Sequence, residues 1–448
     1  MTATGAVWRN WGRSEKIRPA RVERPKDAAA VQRSVVAAAE RGLHVKPVGA
    51  GHSFSGIAVS PGVQLDLHEL SGVIRVDEAS GRVTLGAGTN LYRLPALLEP
   101  YGLALENMGD IDRQTIAGAT STGTHGTGGR FGGLATQIVG VTLVTGDGSL
   151  LAVNETENSD LLPAVRLGLG ALGVLVDVTI QCVPAFLLHA VERSERLGDV
   201  LDAYLDRSER DDHFEFYWFP HTDTAVTKTN TRLPIDVERH PRSRFGAWVG
   251  DELVANGAYR AICALGTMVP PLVPPVNRLA GRLMGNGEYS DMSHRVFVSD
   301  RSVRFREMEY AVPRAAVPDA VREVDELIRE RGWRISFPVE VRSAAADENW
   351  MSTAYGRDTG YVAVHRYFRE DPAEYFAAVE AIMRSYDGRP HWGKMHTRTA
   401  EDLRPAYPRF DDFVAARDRF DPTGVFENRY LRSVLGAVPS GRCAPPTV

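Results

Sequence analysis

Glu340 and Arg342 stand two apart in "FPVEVR", a spacing that can do chemistry. In an extended strand, residues i and i+2 point to the same face, so a carboxylate and a guanidinium meet there. The bland alternative is a surface ion pair of little energetic consequence. The apolar residues of "ISFPVEV" argue instead for a face that is at least partly buried. A second cluster, "RPHWGKMHT", offers His391, Lys394 and His396. Zinc would need a further protein ligand in reach, and no HExxH or CxxC supplies one, so no metal is expected. Two more histidines, His52 in "VKPVGAGHSFSGIA" and His125 in "GTHGTG", each stand alone among small residues.

These groups need elements to position them. "PKDAAAVQRSVVAAAERG" (25–42) predicts a helix capped by Asp27, lined by Val31, Val35 and Ala39 and stopped by Gly42. "HVKPVGAG" follows as a strand and glycine turn, "GVQLDL" as a strand and "GVIRVDEASGRVTLGAG" as a hairpin. The order is informative. A Rossmann or Walker loop runs strand, glycine loop, helix. Here the helix comes first and "SFSGIAVSPG" after the loop is turn-like, which disfavours a plain NAD site. A strand–loop–strand version remains, in which successive backbone N–H groups form an anion nest.

The tract "GDIDRQTIAGATSTGTHGTGGRFGG" gives a second glycine loop, followed by a hairpin in "QIVGVTLVTGDGSLLAVN" and an apolar strand in "LGLGALGVLVDVTIQCVP". Two glycine loops, each with a lone histidine, thus share one α+β domain of about 170 residues, and they point to a phosphate-bearing cofactor. From about Phe186 the texture changes. "HFEFYWFPHTDTAVTKTN", "RFREMEYAVP" and "RISFPVEVRSAAA" are strand-like, while "VPDAVREVDELIRERG" and "DPAEYFAAVEAIMRSYDG" are amphipathic helices. This predicts an antiparallel sheet covered by helices.

The 448 residues suggest two or three domains. With 52 basic against 57 acidic side chains and no basic run, nucleic acid is not an expected partner. Cys182, Cys263 and Cys443 are too scattered for a disulfide framework or zinc cluster, which fits a reducing cytoplasm. The opening "MTATGAVWRNWGRSEKIRP" has no apolar h-region, so no secretory signal is expected. The most apolar stretch, from Ala261, is broken by prolines and arginines, so neither is a membrane span.

Four motifs in order, "GAGHSF", "IAGATSTGTHGTG", "FPVEVR" and "HWGKMHT", carry a resemblance that runs from about Pro19 to about Gly436. The chain resembles the sugar-lactone and alditol oxidoreductases of the vanillyl-alcohol-oxidase flavoprotein superfamily, nearest to the aldonolactone oxidase and dehydrogenase branch. The resemblance implies an α+β fold: a PCMH-type FAD-binding domain of two subdomains over 15–185, and a substrate domain over 186–390. The segment 391–436 would return to the FAD domain. It further implies that Gly49, Ala50, Gly51 and Ser53 cradle the FAD pyrophosphate and that His52 is bonded to the flavin 8α carbon. A neutral imidazole is a competent nucleophile for that bond. Gly109, Asp110, Ile111, Gly118, Thr122, Gly123, His125 and Gly126 would form the other wall, with Gly173 and Val174 at the adenosine end. In this reading His125 is a structural contact.

On the same resemblance, His391 contacts the cofactor and Lys394 sits near flavin N1 and the C2 carbonyl, where reduction puts negative charge. Glu340, Arg342, His365, Tyr367 and Ala119 fall at substrate-pocket positions. Tyr367 and Ala119 stand where alditol oxidases have a smaller hydroxyl residue and a serine, which favours a lactone ring over a polyol. The implied reaction passes hydride from a carbinol C–H to flavin N5 while Glu340 or His365 takes the hydroxyl proton. Arg342 would hold the alkoxide. Electrons then go to dioxygen, giving peroxide, or to another acceptor, with Gly118 leaving the flavin edge accessible. The alternatives are an alditol or other sugar oxidase, a non-catalytic flavin-binding protein, and an NADPH-dependent flavin reductase.

Overall fold

The computed structural model describes residues 6–242, 269–283, 286–299 and 303–439. Cys263, Cys443 and the start of the apolar stretch from Ala261 lie outside them. After a short N-terminal hairpin over residues 8–17, the chain runs through β1 (Arg21–Glu23), α1 (Ala28–Ala39), β2 (Val45–Val48) and β3 (Val63–Asp66). The three strands form a parallel sheet ordered β1-β3-β2. Asp27 starts α1 by accepting the N–H of Ala30 at 2.7 Å, and Val31 and Val35 are buried beneath it. After β2 the chain makes a short 3-10 turn over Gly56–Ala58, so no helix follows the first glycine loop directly.

A second, antiparallel sheet contains β4 (Val73–Asp77) and β5 (Arg82–Gly86), joined by the predicted hairpin turn. After the intervening helix α2 (Ile116–Thr122) come β6 (Ile138–Val144), β7 (Leu150–Asn154) and β8 (Val174–Gln181). Their order is β7-β6-β8-β5-β4. Val83, Leu85, Leu143, Val178 and Ile180 belong to the same core as Val31 and Val35.

The third sheet has eight antiparallel strands: β9 (Leu187–Arg196), β10 (His213–Trp218), β11 (Thr224–Leu233), β12 (Gly287–Met292), β13 (Phe305–Pro313), β14 (Val339–Ala344), β15 (Thr359–Tyr367) and β16 (Arg389–Pro390). They lie in the order β12-β9-β11-β10-β14-β15-β13-β16. Helices α3 (Val317–Glu330) and α4 (Ala373–Ser385) contribute Val321, Val324, Ile328, Val379 and Met383 to one core with Phe214, Phe216, Val341, Val362 and Val364 of the strands. Burying each large apolar side chain contributes about 1.5–3 kcal/mol. Because strand side chains alternate, the residues between them, among them Glu215, Glu307, Glu309, Glu340 and Arg342, face the other way.

The end of the chain returns to the first sheet. Val45 donates its N–H to Val425 O at 2.8 Å, and Gly146 donates to Phe420 O at the end of α5 (Phe410–Phe420), also at 2.8 Å. Asn428 caps α6 (Arg429–Leu435), and its amide nitrogen lies 2.8–3.1 Å from the carbonyls of Gly56, Ile57 and Val59. Among the described residues, no helix is long and apolar enough to cross a membrane.

Two stability outcomes follow from this packing. Asn428→Ala removes the cap, worth about 1 kcal/mol, and leaves buried carbonyls short of a donor, at about 1–3 kcal/mol. Its urea midpoint should drop clearly, and an unchanged midpoint would contradict the tie. The second outcome concerns pH. Burial first of all pushes His52, His213, His221 and His396 down to about 4 and His391 to about 3. The unfolded rings titrate near about 6.5, so unfolding takes up protons below that value. Stability from keeping the rings neutral is therefore full above about 6.5 and is lost as pH falls toward about 4. The urea midpoint should decline steadily from about pH 7 to about pH 5.

Candidate functional site

The loop between β2 and β3 opens a cleft of about 880 Å³ against α2 and the turn before β8. Its glycines are required by contact. A Cβ on Gly49 would lie 2.3 Å from Thr115 Oγ1, and one on Gly118 would lie 3.1 Å from the same oxygen. That oxygen accepts the Gly118 N–H at 3.3 Å and starts α2. Across the cleft, Gly173 has φ +154, and a Cβ there would meet Leu143 at 2.5 Å. Among the described residues no carboxylate lines this cleft, and its one ammonium is Lys46. Lys46 is buried and donates to Gly170 O at 2.8 Å and Phe426 O at 3.1 Å. Burial pushes it down to about 7, with Asp421 pulling the other way. Bare backbone, a lysine and no acid fit a long phosphate-bearing cofactor.

His52 stands at a junction. With Ser53, Gln114 and Thr122 it lines both this cleft and a second, polar pocket of about 670 Å³. Burial, then Lys394 and Arg113, hold its ring neutral down to about pH 4. The far side of the second pocket carries Glu307, Glu309, Glu340, Arg342, His391 and Lys394. The loop of residues 391–394 is tied to the His52 loop. Phe54 donates its N–H to Gly393 O at 2.6 Å, and Ser55 Oγ donates to Trp392 O at 2.7 Å. Trp392 is fully buried, with its indole N–H on Met351 O at 2.7 Å.

Strand register assembles the charges. Tyr217 on β10 pairs with Glu340 on β14, Glu340 with Ala363 on β15, and Ala363 with Glu309 on β13. Arg342 pairs with Glu340 as the "FPVEVR" spacing predicts, and also bonds Glu215 at 2.9 Å and Asp110 at 3.2 Å. Burial would lower its pKa, but Asp110, Glu340, Tyr217 and Glu215 outweigh burial and raise it. Lys394 follows the same logic: burial pushes it down, while Glu307, to which it is paired, and Glu309 carry it above its ordinary value. Both cations therefore keep their charge through the neutral range.

Glu309 is engaged with His125, whose Nε2 lies 3.2 Å away and whose Nδ1 donates to Gly126 O at 2.8 Å. Burial pushes Glu309 up, yet His125, Lys394 and His391 together hold it well below the usual carboxylate range. The His125 ring stacks on Tyr361 at 3.5 Å between centroids. His125, Glu309 and His391 offer ligand atoms within 4.8 Å of one another. These groups also have protein partners: His391 Nδ1 accepts the Gly393 N–H at 3.0 Å, and its ring bonds the backbone of Gly123.

Of the residues singled out in the sequence, Gly49, Ala50, Gly51, His52, Ser53, Gly118, Thr122 and Gly173 line the cleft. Gly109, Asp110, Ile111, His125, Glu340, Arg342, His391 and Lys394 line the polar pocket. Gly126 packs its backbone on Met108 and Asn107, and Val174 is buried beside Gly173. His365 sits behind Glu307, with Nε2 3.7 Å from that carboxylate and Nδ1 3.1 Å from Pro338 O. Tyr367 lies in an aromatic cluster with Phe54, Phe305 and Phe337. Ala119 is fully buried in α2, so it and Tyr367 do not line the groove. Sequence reasoning missed Glu215, Tyr217, Glu307, Glu309 and Trp11. Glu307 and Glu309 in "FREMEYAVP" repeat the two-residue spacing that marked Glu340 and Arg342, and that signal was available.

Comparison with known proteins agrees with this geometry. The D-arabinono-1,4-lactone oxidase family matches residues 178–434, and an FAD binding domain matches residues 19–154. The chain is 44% identical over 430 residues to L-gulono-1,4-lactone dehydrogenase of Mycobacterium tuberculosis, covering 96% of this chain and 99% of that one. It is 33% identical to L-gulonolactone oxidase of Bos taurus, over 96% of this chain and 98% of the relative. In fold it is similar to the crystal structure of cholesterol oxidase from B. sterolicum, with a TM-score of 0.79, 19% identity and 97% of each chain covered. That likeness supports the fold alone, a PCMH-type FAD-binding domain joined to an antiparallel sheet. The chain belongs to the D-arabinono-1,4-lactone oxidase family of FAD-dependent oxidoreductases.

Proposed function

We propose that the protein oxidises an aldono-1,4-lactone of the L-gulono or D-arabinono type at its C2 carbinol. The observation that carries this reading is the Glu340–Arg342 pair, set in a polar pocket that meets the cofactor cleft at His52. FAD, when bound, would supply the acceptor for the C2 hydride and the route by which two electrons reach dioxygen or another acceptor. Glu340 takes the hydroxyl proton and Arg342 holds the alkoxide as it forms. Lys394, fixed by Glu307, offsets the negative charge that reduction brings to the cofactor side. His365 acts through Glu307, since it lies behind that carboxylate rather than on the pocket wall. The 2-keto product enolises to an ascorbate-type enediol. The assignments of 15–185 to cofactor, 186–390 to substrate and 391–436 to closure belong to the same reading.

The reading includes a covalent link from His52 to the flavin 8α carbon. The new N–C bond replaces the imidazole N–H and one C8α–H. The two electrons and two protons released leave to dioxygen as peroxide. A ring kept neutral down to about pH 4 supports this role, because only the unprotonated nitrogen is a nucleophile.

Two experiments test the reading. Glu340→Gln should bind FAD at wild-type stoichiometry while anaerobic bleaching of the flavin by L-gulono-1,4-lactone slows by about a hundredfold or more. Bleaching at the wild-type rate would remove Glu340 from the reaction. A wild-type protein bleached faster by alditols than by either lactone would move the substrate class to polyols. Gly49→Ala drives a methyl against Thr115 and, at roughly 1–3 kcal/mol for such overpacking, should weaken FAD retention by about tenfold or more. Flavin absorbance per protein after gel filtration checks it, and undiminished flavin would count against the cradle.

A further inference from the structure

His52 is held in place by the start of the chain. Residues 8–17 form a hairpin in which Trp8 pairs with Ile17 and Arg9 with Lys16. Between these strands the chain turns over the His52 loop and binds it on both sides. Trp11 donates its N–H to Gly51 O at 2.8 Å, immediately before His52. Asn10, itself buried, donates from Nδ2 to Ser53 O at 2.9 Å, immediately after it. Ser14 Oγ extends the seam to Phe54 O at 2.7 Å. Asn10 is in turn locked, with Nδ2 2.7 Å from Ser14 Oγ and Oδ1 accepting the Glu15 N–H at 2.9 Å.

The ring itself is also engaged. The Trp11 indole lies against the His52 imidazole with centroids 5.6 Å apart and planes 21° apart. Trp11 is braced from behind by Phe305 at 5.2 Å and Phe54 at 6.1 Å, both edge-on. The backbone on either side of His52 is therefore pinned, and one face of its ring is covered.

We propose that Asn10 and Trp11 are positioning residues that orient the His52 imidazole for attachment to the flavin. The inference rests on the covalent reading given above and adds to it the part of the chain that prepares the nucleophile. Two hydrogen bonds set the backbone, and the indole face restricts rotation of the ring and excludes water from that side. A misplaced reacting group can cost on the order of a hundredfold in rate. Attachment would replace the imidazole N–H and one C8α–H by an N–C bond, with two electrons and two protons passing to dioxygen as peroxide.

The test uses the full chain, loaded with added FAD, and follows flavin in the acid-precipitated pellet and in the supernatant over time. Trp11→Ala should bind FAD at wild-type stoichiometry but transfer it to the pellet about tenfold to a hundredfold more slowly. Trp11→Leu, which keeps apolar volume without the flat face, should also be slow, and Trp11→Phe should recover most of the rate. Attachment at the wild-type rate in Trp11→Ala and Trp11→Leu would overturn the role of Trp11. So would loss of reversible binding in step with attachment, which a purely structural role predicts. If the wild-type protein releases all its flavin on acid treatment, the covalent reading itself fails. That result differs from a failure confined to the variants.

Discussion

A buried guanidinium sets the terms for the polar pocket of this protein. Arg342 lies among Asp110, Glu215 and Glu340, and a guanidinium so deeply buried would be costly without partners of that charge. The arrangement works only because β10, β14, β15 and β13 are paired in one register. A slip of one residue on any of them would turn its polar face into the apolar layer beneath α3 and α4 and its apolar face toward the pocket. The apolar alternation of Phe214, Phe216, Val341, Val362 and Val364 therefore also fixes the charges on the other face. Packing on one side of the sheet and chemistry on the other are a single constraint.

The same sheet separates two kinds of charge. Around Arg342 the acids are engaged by one cation, while on β13 Glu307 and Glu309 divide their attention between Lys394 and His125. The pocket is thus a field of matched pairs rather than a set of lone ionisable groups, and Glu340 lies inside that field. The glycine-lined cleft beside it is the opposite: bare backbone and, among the described residues, no carboxylate and a single buried lysine. His52 lies where the two environments meet.

Much of this was legible in the sequence, for local reasons. α1 with its Asp27 cap, the two hairpins of the second sheet and the Glu340–Arg342 face all follow from patterns a few residues long. What stayed hidden was distance along the chain. The partners that complete Arg342 are 127 and 232 residues away, and no periodicity announces them. The residues singled out for the substrate side lie in different places. Glu340, Arg342 and Lys394 reach the pocket, whereas Tyr367 turns into an aromatic cluster and Ala119 into the core. The short "EME" run of β13 carried the same signal as "EVR" but lacked an opposite charge to draw attention to it.

The ties on the His52 loop also say something about how the molecule comes into being. Ser55 waits for Trp392, 337 residues on, and Gly56 waits for Asn428, 372 residues on. A chain emerging from the ribosome can fold its first sheet early, since domains form as units from the N-terminus. Its cofactor loop has no partners on that side until translation is almost finished. Closing so long a loop is entropically expensive and comes late. Closure of this loop is thereby coupled to completion of the polypeptide, and a chain cut short before Trp392 would keep it tied only to the N-terminal hairpin.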